Sequence, residues 1–200
     1  MSKLLNLSVD IVQSPSDLSA YISEATLEDI GGTDGCIVAL KSPNDNVVYV
    51  TLHTATTVEN GKIQLSRVHR YNLDSYPGET VMISNPIPLA TAEAIVLAPI
   101  KETVEGIAGD FNTLIQECPM DFRDLPLHRG FILPIYALQR CIEFKVVTCA
   151  PGNRSVLKTR SAIVCRSETI PRGDFPPFDI PNYNEIGGLN EQIMQIRAVI

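Results

Sequence analysis

The chain has 200 residues, of which 44% are hydrophobic and 20% are charged, and this length can bury the core of one large domain or two small ones. No run of about eighteen apolar residues occurs, so the sequence predicts no transmembrane segment. The 23 acidic and 16 basic residues give a net charge of −7, and the basic residues are scattered, which argues against nucleic acid as a partner.

Short apolar or alternating runs with a period of two recur along the chain. Turn-forming Gly, Pro, Asn and Asp residues separate them, which is typical of a compact β protein built from short strands. We therefore predict strands at residues 36–40, 47–52, 63–65, 81–83, 94–98, 131–135, 142–147 and 162–165.

A weak internal repeat lies in the first half of the chain. The segment that begins at Gly35 is similar to the segment that begins at Gly78, 43 positions later. In each copy a second strand is expected about ten residues further on, at residues 47–52 and 93–98. Two similar halves predict a β-barrel, and chance similarity between two strands is the competing explanation.

The pattern changes after residue 100. Asp110 is predicted to cap a short helix that Pro119 ends, with one apolar face formed by Phe111, Leu114, Ile115 and Cys118. Strands then resume, which predicts a second, smaller β-rich unit. A proline-rich stretch with few core residues follows and is predicted to be a linker. Helical spacing of apolar residues resumes near the end without a stop signal, so we expect a truncated helix there.

No catalytic motif is present in the sequence, which contains neither a phosphate-binding G-x-x-x-x-G-K-[ST] loop nor H-E-x-x-H or G-x-S-x-G. Asp121 and Asp124 lie in a polar loop before Pro126, which favours a solvated turn over an acid–base pair. The five cysteines form no C-x-x-C pair and are expected to be reduced, as in a cytosolic or nuclear protein. The residues therefore favour a binding module over an enzyme.

Four segments of the chain resemble a known family. They are K-I-Q-L-S-R-V-H-R-Y-N-L at 62–73 followed by Gly78-Glu79, T-V-E-G-I-A-G at 103–109, I-E-F-K-V-V at 142–147, and Y-N-E-I-G-G at 183–188. In this order and spacing they resemble the amino-terminal domain of the valosin-containing-protein segregases and the entry into that family's first ATPase domain.

The resemblance implies a mainly β fold in four parts. Residues 1–100 would form a double-psi β-barrel and residues 101–170 a small four-stranded α+β barrel. Residues 171–181 would be a linker, and residues 182–200 the truncated start of the first AAA ATPase domain. There, Glu185, Ile186 and Gly187 match the segment that lines the adenine pocket. The full-length hexamer would use ATP and Mg²⁺, whereas this fragment would hold no cofactor.

The resemblance also implies a function. The chain would be the domain on which UBX-type and other ubiquitin adaptors, or short basic helices, dock, so that the ATPase ring extracts or unfolds ubiquitinated clients in the cytoplasm or nucleus. Two alternatives remain: the docking domain of a membrane-fusion-type AAA ATPase, and a paralogue dedicated to protein translocation in an organelle. The T-V-E-G and I-E-F-K-V-V segments favour the segregase branch.

The resemblance places the docking groove between the two subdomains. Groove positions of the family are matched by Gly35, Val50, Leu52 and Leu125. Thr91 and Asp124 stand where the family usually has groove aromatics, and Tyr136 stands where an arginine usually faces the ATPase ring. Aromatic and arginine side chains are the usual anchors of interfaces, so these departures leave the choice of adaptors and the coupling to the ring open.

We expect the isolated chain neither to bind ATP tightly nor to hydrolyse it. The phosphate loop, which supplies most contacts to the phosphates of a nucleotide, is absent from the sequence. Calorimetric titration with ATP and Mg²⁺ should therefore show no binding in the micromolar range, and a micromolar affinity would contradict the prediction.

Overall fold

Residues 5–83 contain a closed six-stranded barrel in the computed structural model, which describes residues 5–12, 18–107, 109–117, 122, 124–137, 139–173 and 177–178. The strand order around the barrel is β1-β5-β2-β4-β3-β6. Its elements are β1 (Leu5–Ile11), β2 (Ala20–Ile22), α1 (Glu24–Asp29), β3 (Ile37–Lys41), β4 (Val47–Thr54), β5 (Lys62–Leu65), α2 (Arg67–Leu73) and β6 (Thr80–Ile83).

The barrel consists of two ββαβ copies that lie 43 positions apart in the sequence. The first copy contains β1, β2, α1 and β3, and the second contains β4, β5, α2 and β6. Equivalent strands pair in the same register. Val9 lies opposite Ile63 in the parallel β1–β5 pair, and its equivalent Leu52 lies opposite Ala20 in the parallel β4–β2 pair.

The two copies meet each other around a local two-fold axis. Tyr21 of β2 lies opposite Gln64 of β5, and Leu40 of β3 lies opposite Ile83 of β6. In both cases a residue pairs with its own equivalent 43 positions later, as a two-fold axis requires.

The repeat extends to the helix caps. The side chain of Ser23 accepts a hydrogen bond from the backbone N–H of Thr26 at 3.2 Å, and the equivalent Ser66 accepts one from the N–H of His69 at 3.2 Å. Serine at this position satisfies a backbone donor that would otherwise lack a partner in the first helical turn. The two copies therefore begin their helices in the same way.

The prediction of two similar halves is confirmed, but their content differs from the prediction. Residues 47–52 belong to β4 and begin the second copy instead of ending the first. Residues 94–99 form β7, which pairs with strands of the second unit instead of closing the barrel. The predicted boundary at residue 100 is therefore wrong, and the second unit begins before β7.

The second unit contains a four-stranded sheet with the order β12-β7-β10-β9 and a two-stranded ribbon formed by β11 and β8. Strand β7 is antiparallel to β10 and parallel to β12. The elements are β7 (Ala94–Pro99), a 3-10 turn (Lys101–Thr103), α3 (Phe111–Gln116), β8 (Pro126–His128), β9 (Ile132–Ala137), β10 (Arg140–Ala150), β11 (Arg154–Val156) and β12 (Ala162–Cys165).

Helix α3 begins where the sequence predicts. The Asp110 carboxylate accepts a hydrogen bond from the backbone N–H of Asn112 at 3.0 Å, and Ile115 is buried. Cys118, expected on the same face, lies outside the described residues. Of the other cysteines, Cys141, Cys149 and Cys165 are buried and form no disulfide, and burial raises the pKa values of Cys149 and Cys165 to about 11. No helix among the described residues has the length and apolar character that a membrane span needs.

A side-chain amide joins the two units. Asn72 on α2 is buried, and its amide nitrogen donates to the backbone carbonyl of Ile132 on β9 at 2.8 Å. Its amide oxygen accepts from the backbone N–H of the same residue at 2.7 Å. The asparagine thus pairs with β9 as a neighbouring strand would, and it satisfies two backbone groups that would otherwise be buried without partners.

The segment after β12 is also attached to both units, by a cluster around Glu143 of β10. Both oxygens of this buried carboxylate bind the guanidinium group of Arg172, at 2.8 Å and 2.5 Å. One oxygen also accepts from the backbone N–H of Phe178 at 3.2 Å. On the barrel side, Arg67 of α2 donates to the carbonyl of Phe178 at 2.7 Å, and Tyr71 packs edge-on against the Phe178 ring.

Residues 171–181 were predicted to be a linker with few core residues, and this prediction is wrong at two positions. Arg172 is 9% exposed and Phe178 is 4% exposed, so both belong to the packed interior. The carboxylate of Glu143 raises the pKa of Arg172 further above its ordinary value, which keeps the guanidinium group protonated. We call residues 172–173 and 177–178 the strap.

We expect Arg172→Ala to lower the free energy of unfolding by about 3–5 kcal/mol, because it leaves the buried Glu143 carboxylate without its partner. Arg166→Ala is the matched control, since Arg166 is exposed and its hydrogen bonds with Leu97 and Cys165 use its backbone atoms. The control should stay within about 0.5 kcal/mol of the wild type. Urea denaturation followed by circular dichroism would measure both, and equal stability of the two variants would show that the ion pair does not hold the strap.

Candidate functional site

Strand β4 separates the barrel interior from the second unit. Val50 and Leu52, predicted to line an open groove, have no exposed surface and belong to the hydrophobic core. The groove prediction is therefore wrong for both side chains. Successive side chains of a strand point to opposite faces, so the residues on the outer face are instead Tyr49 and Thr51.

Two other predicted groove residues also have structural roles. Gly35 is exposed, has a φ of 79°, and donates its N–H to the carbonyl of Leu52 at 2.8 Å. This left-handed conformation, which glycine adopts without strain, explains the glycine. Leu125 is only 2% exposed and packs in the core, so it does not offer its side chain to a partner as predicted.

Asp124 does lie where the two units meet. Its backbone carbonyl accepts a hydrogen bond from the Thr51 hydroxyl at 2.8 Å, and its backbone N–H donates to Leu157 at 2.9 Å. The Asp124 carboxylate is exposed and forms an ion pair with Lys158. The structure thus brings together the outer face of β4 and the loop before β8, as the resemblance implies, but through Thr51 instead of Val50.

Beyond this contact the two units separate into an open cleft of about 780 Å³. We call it the β4–β8 cleft, and its lining residues are Val47, Tyr49, His128, Arg129, Gly130, Asn153 and Arg154. This volume lies in the range of sites that hold small molecules or a few side chains of a peptide. The described lining therefore combines one large aromatic ring with two guanidinium groups.

Tyr49 organises the cleft. Its hydroxyl accepts a hydrogen bond from Arg154 at 2.6 Å, and the guanidinium carbon of Arg154 lies 5.2 Å from the centre of its ring. The ring also packs edge-on against His128 at 5.7 Å, and His128 packs edge-on against the buried Phe131 at 5.6 Å. A chain of aromatic contacts therefore connects the cleft wall to the core and fixes the orientation of Tyr49.

His128 lines the cleft as an uncharged aromatic ring. Burial lowers its pKa below the ordinary value, so the imidazole is neutral near pH 7. One ring nitrogen contacts the backbone carbonyl of Arg129 at 3.0 Å, and the buried Nε2 atom has no hydrogen-bond partner among the described residues. Arg129 and Arg154 are exposed, so the positive charge of the cleft comes from these two arginines.

The remaining predicted positions lie elsewhere. Thr91 is exposed and forms an isolated bridge with Val156 of β11, and Tyr136 is 54% exposed on β9. Glu185, Ile186 and Gly187 lie outside the described residues, so their predicted role near an adenine stays a prediction. Among the described residues, no group of three or more His, Cys, Asp or Glu side chains is arranged to hold a metal.

The sequence reasoning missed the residues that line the cleft. Tyr49 alternates with the buried valines of β4, so a correct assignment of the outer face of this strand would have identified Tyr49 as a cleft residue. Arg129 and Arg154 lie at the ends of β8 and β11, which are three residues long and carry little periodic signal.

A comparison of the chain with profiles of known protein families found no match.

The reversed assignment of β4 can be tested with a carboxylate on each face. Val50→Asp would bury an unpaired charge and should cost several kcal/mol, close to the whole stability of a typical domain. Val47→Asp is the control, because Val47 lies on the outer face and is partly exposed, and it should cost at most about 1 kcal/mol. Thermal melting would compare the two, and a normally folded Val50→Asp protein would restore the open-groove interpretation.

Proposed function

We propose that this chain is the adaptor-docking amino-terminal domain of a hexameric AAA ATPase of the segregase type, and that adaptors bind across the β4–β8 cleft. The observation that carries the proposal is the cleft itself, which lies between the barrel and the second unit and is lined by outer-face residues of β4 and by the β8–β11 ribbon. The family to which the sequence segments are similar docks its partners between two such subdomains.

The fold supports the proposal in a second way. The resemblance implies a double-psi β-barrel, and a closed six-stranded barrel of two ββαβ copies with two parallel strand pairs is consistent with that architecture. The half-closed sheet of the second unit is similarly consistent with the small second barrel. Fold alone does not determine function, so the docking role rests on the cleft and on the sequence segments together.

In the proposed full-length protein, ATP and Mg²⁺ would bind the ATPase ring, and the strap would connect the docking domain to that ring. Attachment of the strap to both units through Glu143 and Arg67 would transmit the orientation of the docking domain to the segment that follows. Ubiquitinated clients would reach the ring through the adaptors. The buried free thiols are consistent with the proposed cytosolic or nuclear compartment.

The test is titration of a labelled UBX domain with the chain. Tyr49→Ala removes the central aromatic side chain of the cleft and should weaken binding by about tenfold or more, as loss of an interface hot spot does. Tyr136→Ala is the matched control, because this tyrosine is exposed on β9 and does not line the cleft. The control should bind like the wild type.

Two further measurements complete the experiment. Tyr49→Phe keeps the ring and loses only the hydroxyl that Arg154 contacts, so it should retain most of the affinity. Circular dichroism should show that all variants are folded. Absence of UBX binding to the wild-type chain, or equal loss in the Tyr49→Ala and Tyr136→Ala variants, would contradict the proposed docking site.

A further inference from the structure

The β4–β8 cleft has a charge opposite to that of the chain as a whole. The chain carries a net charge of −7, but the described lining of the cleft contains two arginines and no Asp or Glu. Asp124, which lies where the two units meet, is paired with Lys158. A ligand in the cleft therefore meets local positive charge, although the chain as a whole is acidic.

Arg154 is held in position before any ligand binds. Its guanidinium group stacks over the Tyr49 ring and donates one hydrogen bond to the Tyr49 hydroxyl. A guanidinium group has five N–H donors, so most of its donors are still available. An arginine that is already ordered loses less conformational entropy on binding a carboxylate than a freely rotating one.

Arg129 lies beside it because the β8–β11 ribbon brings two chain segments together. His128 pairs with Arg154 across the ribbon, and the backbone N–H of Arg129 donates to the carbonyl of Asn153 at 2.8 Å. The two arginines therefore extend from neighbouring positions at the end of one ribbon. The side chains of Tyr49 and Val47 form the opposite wall, which offers apolar surface to the backbone or side chains of a peptide.

We infer that the β4–β8 cleft binds an acidic peptide segment, with carboxylate groups of the segment paired to the guanidinium groups of Arg129 and Arg154. Planar guanidinium groups bind carboxylates through two parallel hydrogen bonds, which gives both charge and orientation. The same two charges repel a basic helix, which is one of the partners that the family resemblance implies. The inference rests on the proposed docking function and adds the charge of the docked segment.

The experiment measures fluorescence anisotropy of a short labelled peptide that alternates Glu and Gly, with a Lys-Gly peptide of equal length as the comparison. The acidic peptide should bind and the basic peptide should not. Raising the salt concentration should weaken the binding, because exposed charges are screened. A single-stranded oligonucleotide of similar length tests the other common polyanion, and tighter binding of the oligonucleotide would overturn the assignment to a peptide.

Charge reversal at one position then locates the site. Arg129→Glu should weaken binding of the acidic peptide about tenfold, whereas Arg129→Lys, which keeps the charge but loses the two parallel hydrogen bonds, should weaken it less than Arg129→Glu does. Arg166→Glu makes the same charge change at an exposed arginine beside α3, outside the cleft, and should leave binding unchanged. Equal weakening by Arg129→Glu and Arg166→Glu would show a general charge effect and would overturn the inference.

The inference and the proposed function can fail separately. If the UBX domain binds in a Tyr49-dependent manner but the acidic peptide does not bind, the docking function stands and the charge assignment is wrong. If the acidic peptide binds in an Arg129-dependent manner but no UBX domain binds, the cleft is a site for acidic segments and the segregase assignment is wrong.

Discussion

Each residue of β4 points either into the barrel or away from it, because successive side chains of a strand alternate between its two faces. The inner face, with Val48, Val50 and Leu52, is completely buried in the barrel core. The outer face is then the part of the strand that can meet the second unit, and Thr51 and Tyr49 do so at the Asp124 contact and at the cleft. Barrel packing thus decides which side chains a partner can touch.

The cleft keeps its shape because polar side chains fix the two units to each other at buried positions. Asn72 pairs with the backbone of Ile132, and Glu143 gathers Arg172 and the backbone of Phe178 at the side where the strap passes. Buried polar groups with full sets of partners have few alternative arrangements, since any shift leaves a donor or a charge unsatisfied. The first contact connects α2 with β9, and the second connects α2 with β10 through the strap. The relative position of the two units therefore depends on directional hydrogen bonds as well as on apolar packing.

The sequence predicted the long apolar strands and the capped helix α3, because strong apolar runs and an Asp cap are local signals. It missed β2, β8 and β11, which have three residues each, too few to show a period. It also missed β1, although Leu5–Ile11 alternates apolar and polar residues, and the short helices α1 and α2. The sequence analysis placed β7 in the barrel, because an apolar run of residues does not indicate which sheet the strand will join. The prediction of the site failed at one step for a related reason. Val50 and Thr51 are adjacent in the sequence, and only the pairing of β4 with its neighbouring strands determines which of the two side chains faces the barrel interior.

The two-fold repeat shows which part of the barrel is specialised for contact with the second unit. Leu7 and Val50 are equivalent and both fully buried, so the inner faces of β1 and β4 are alike. Their outer faces differ, because the position of Tyr49 in β4 is held by the exposed Asn6 in β1. The helices differ in the same way: the buried Asn72 of α2, which binds β9, corresponds to the exposed Asp29 of α1.

Two copies with equivalent folds thus carry different surfaces, and only the second copy has the aromatic and amide side chains that the second unit contacts. The cleft lies beside outer positions that the barrel core leaves unconstrained, and these positions differ between the two copies.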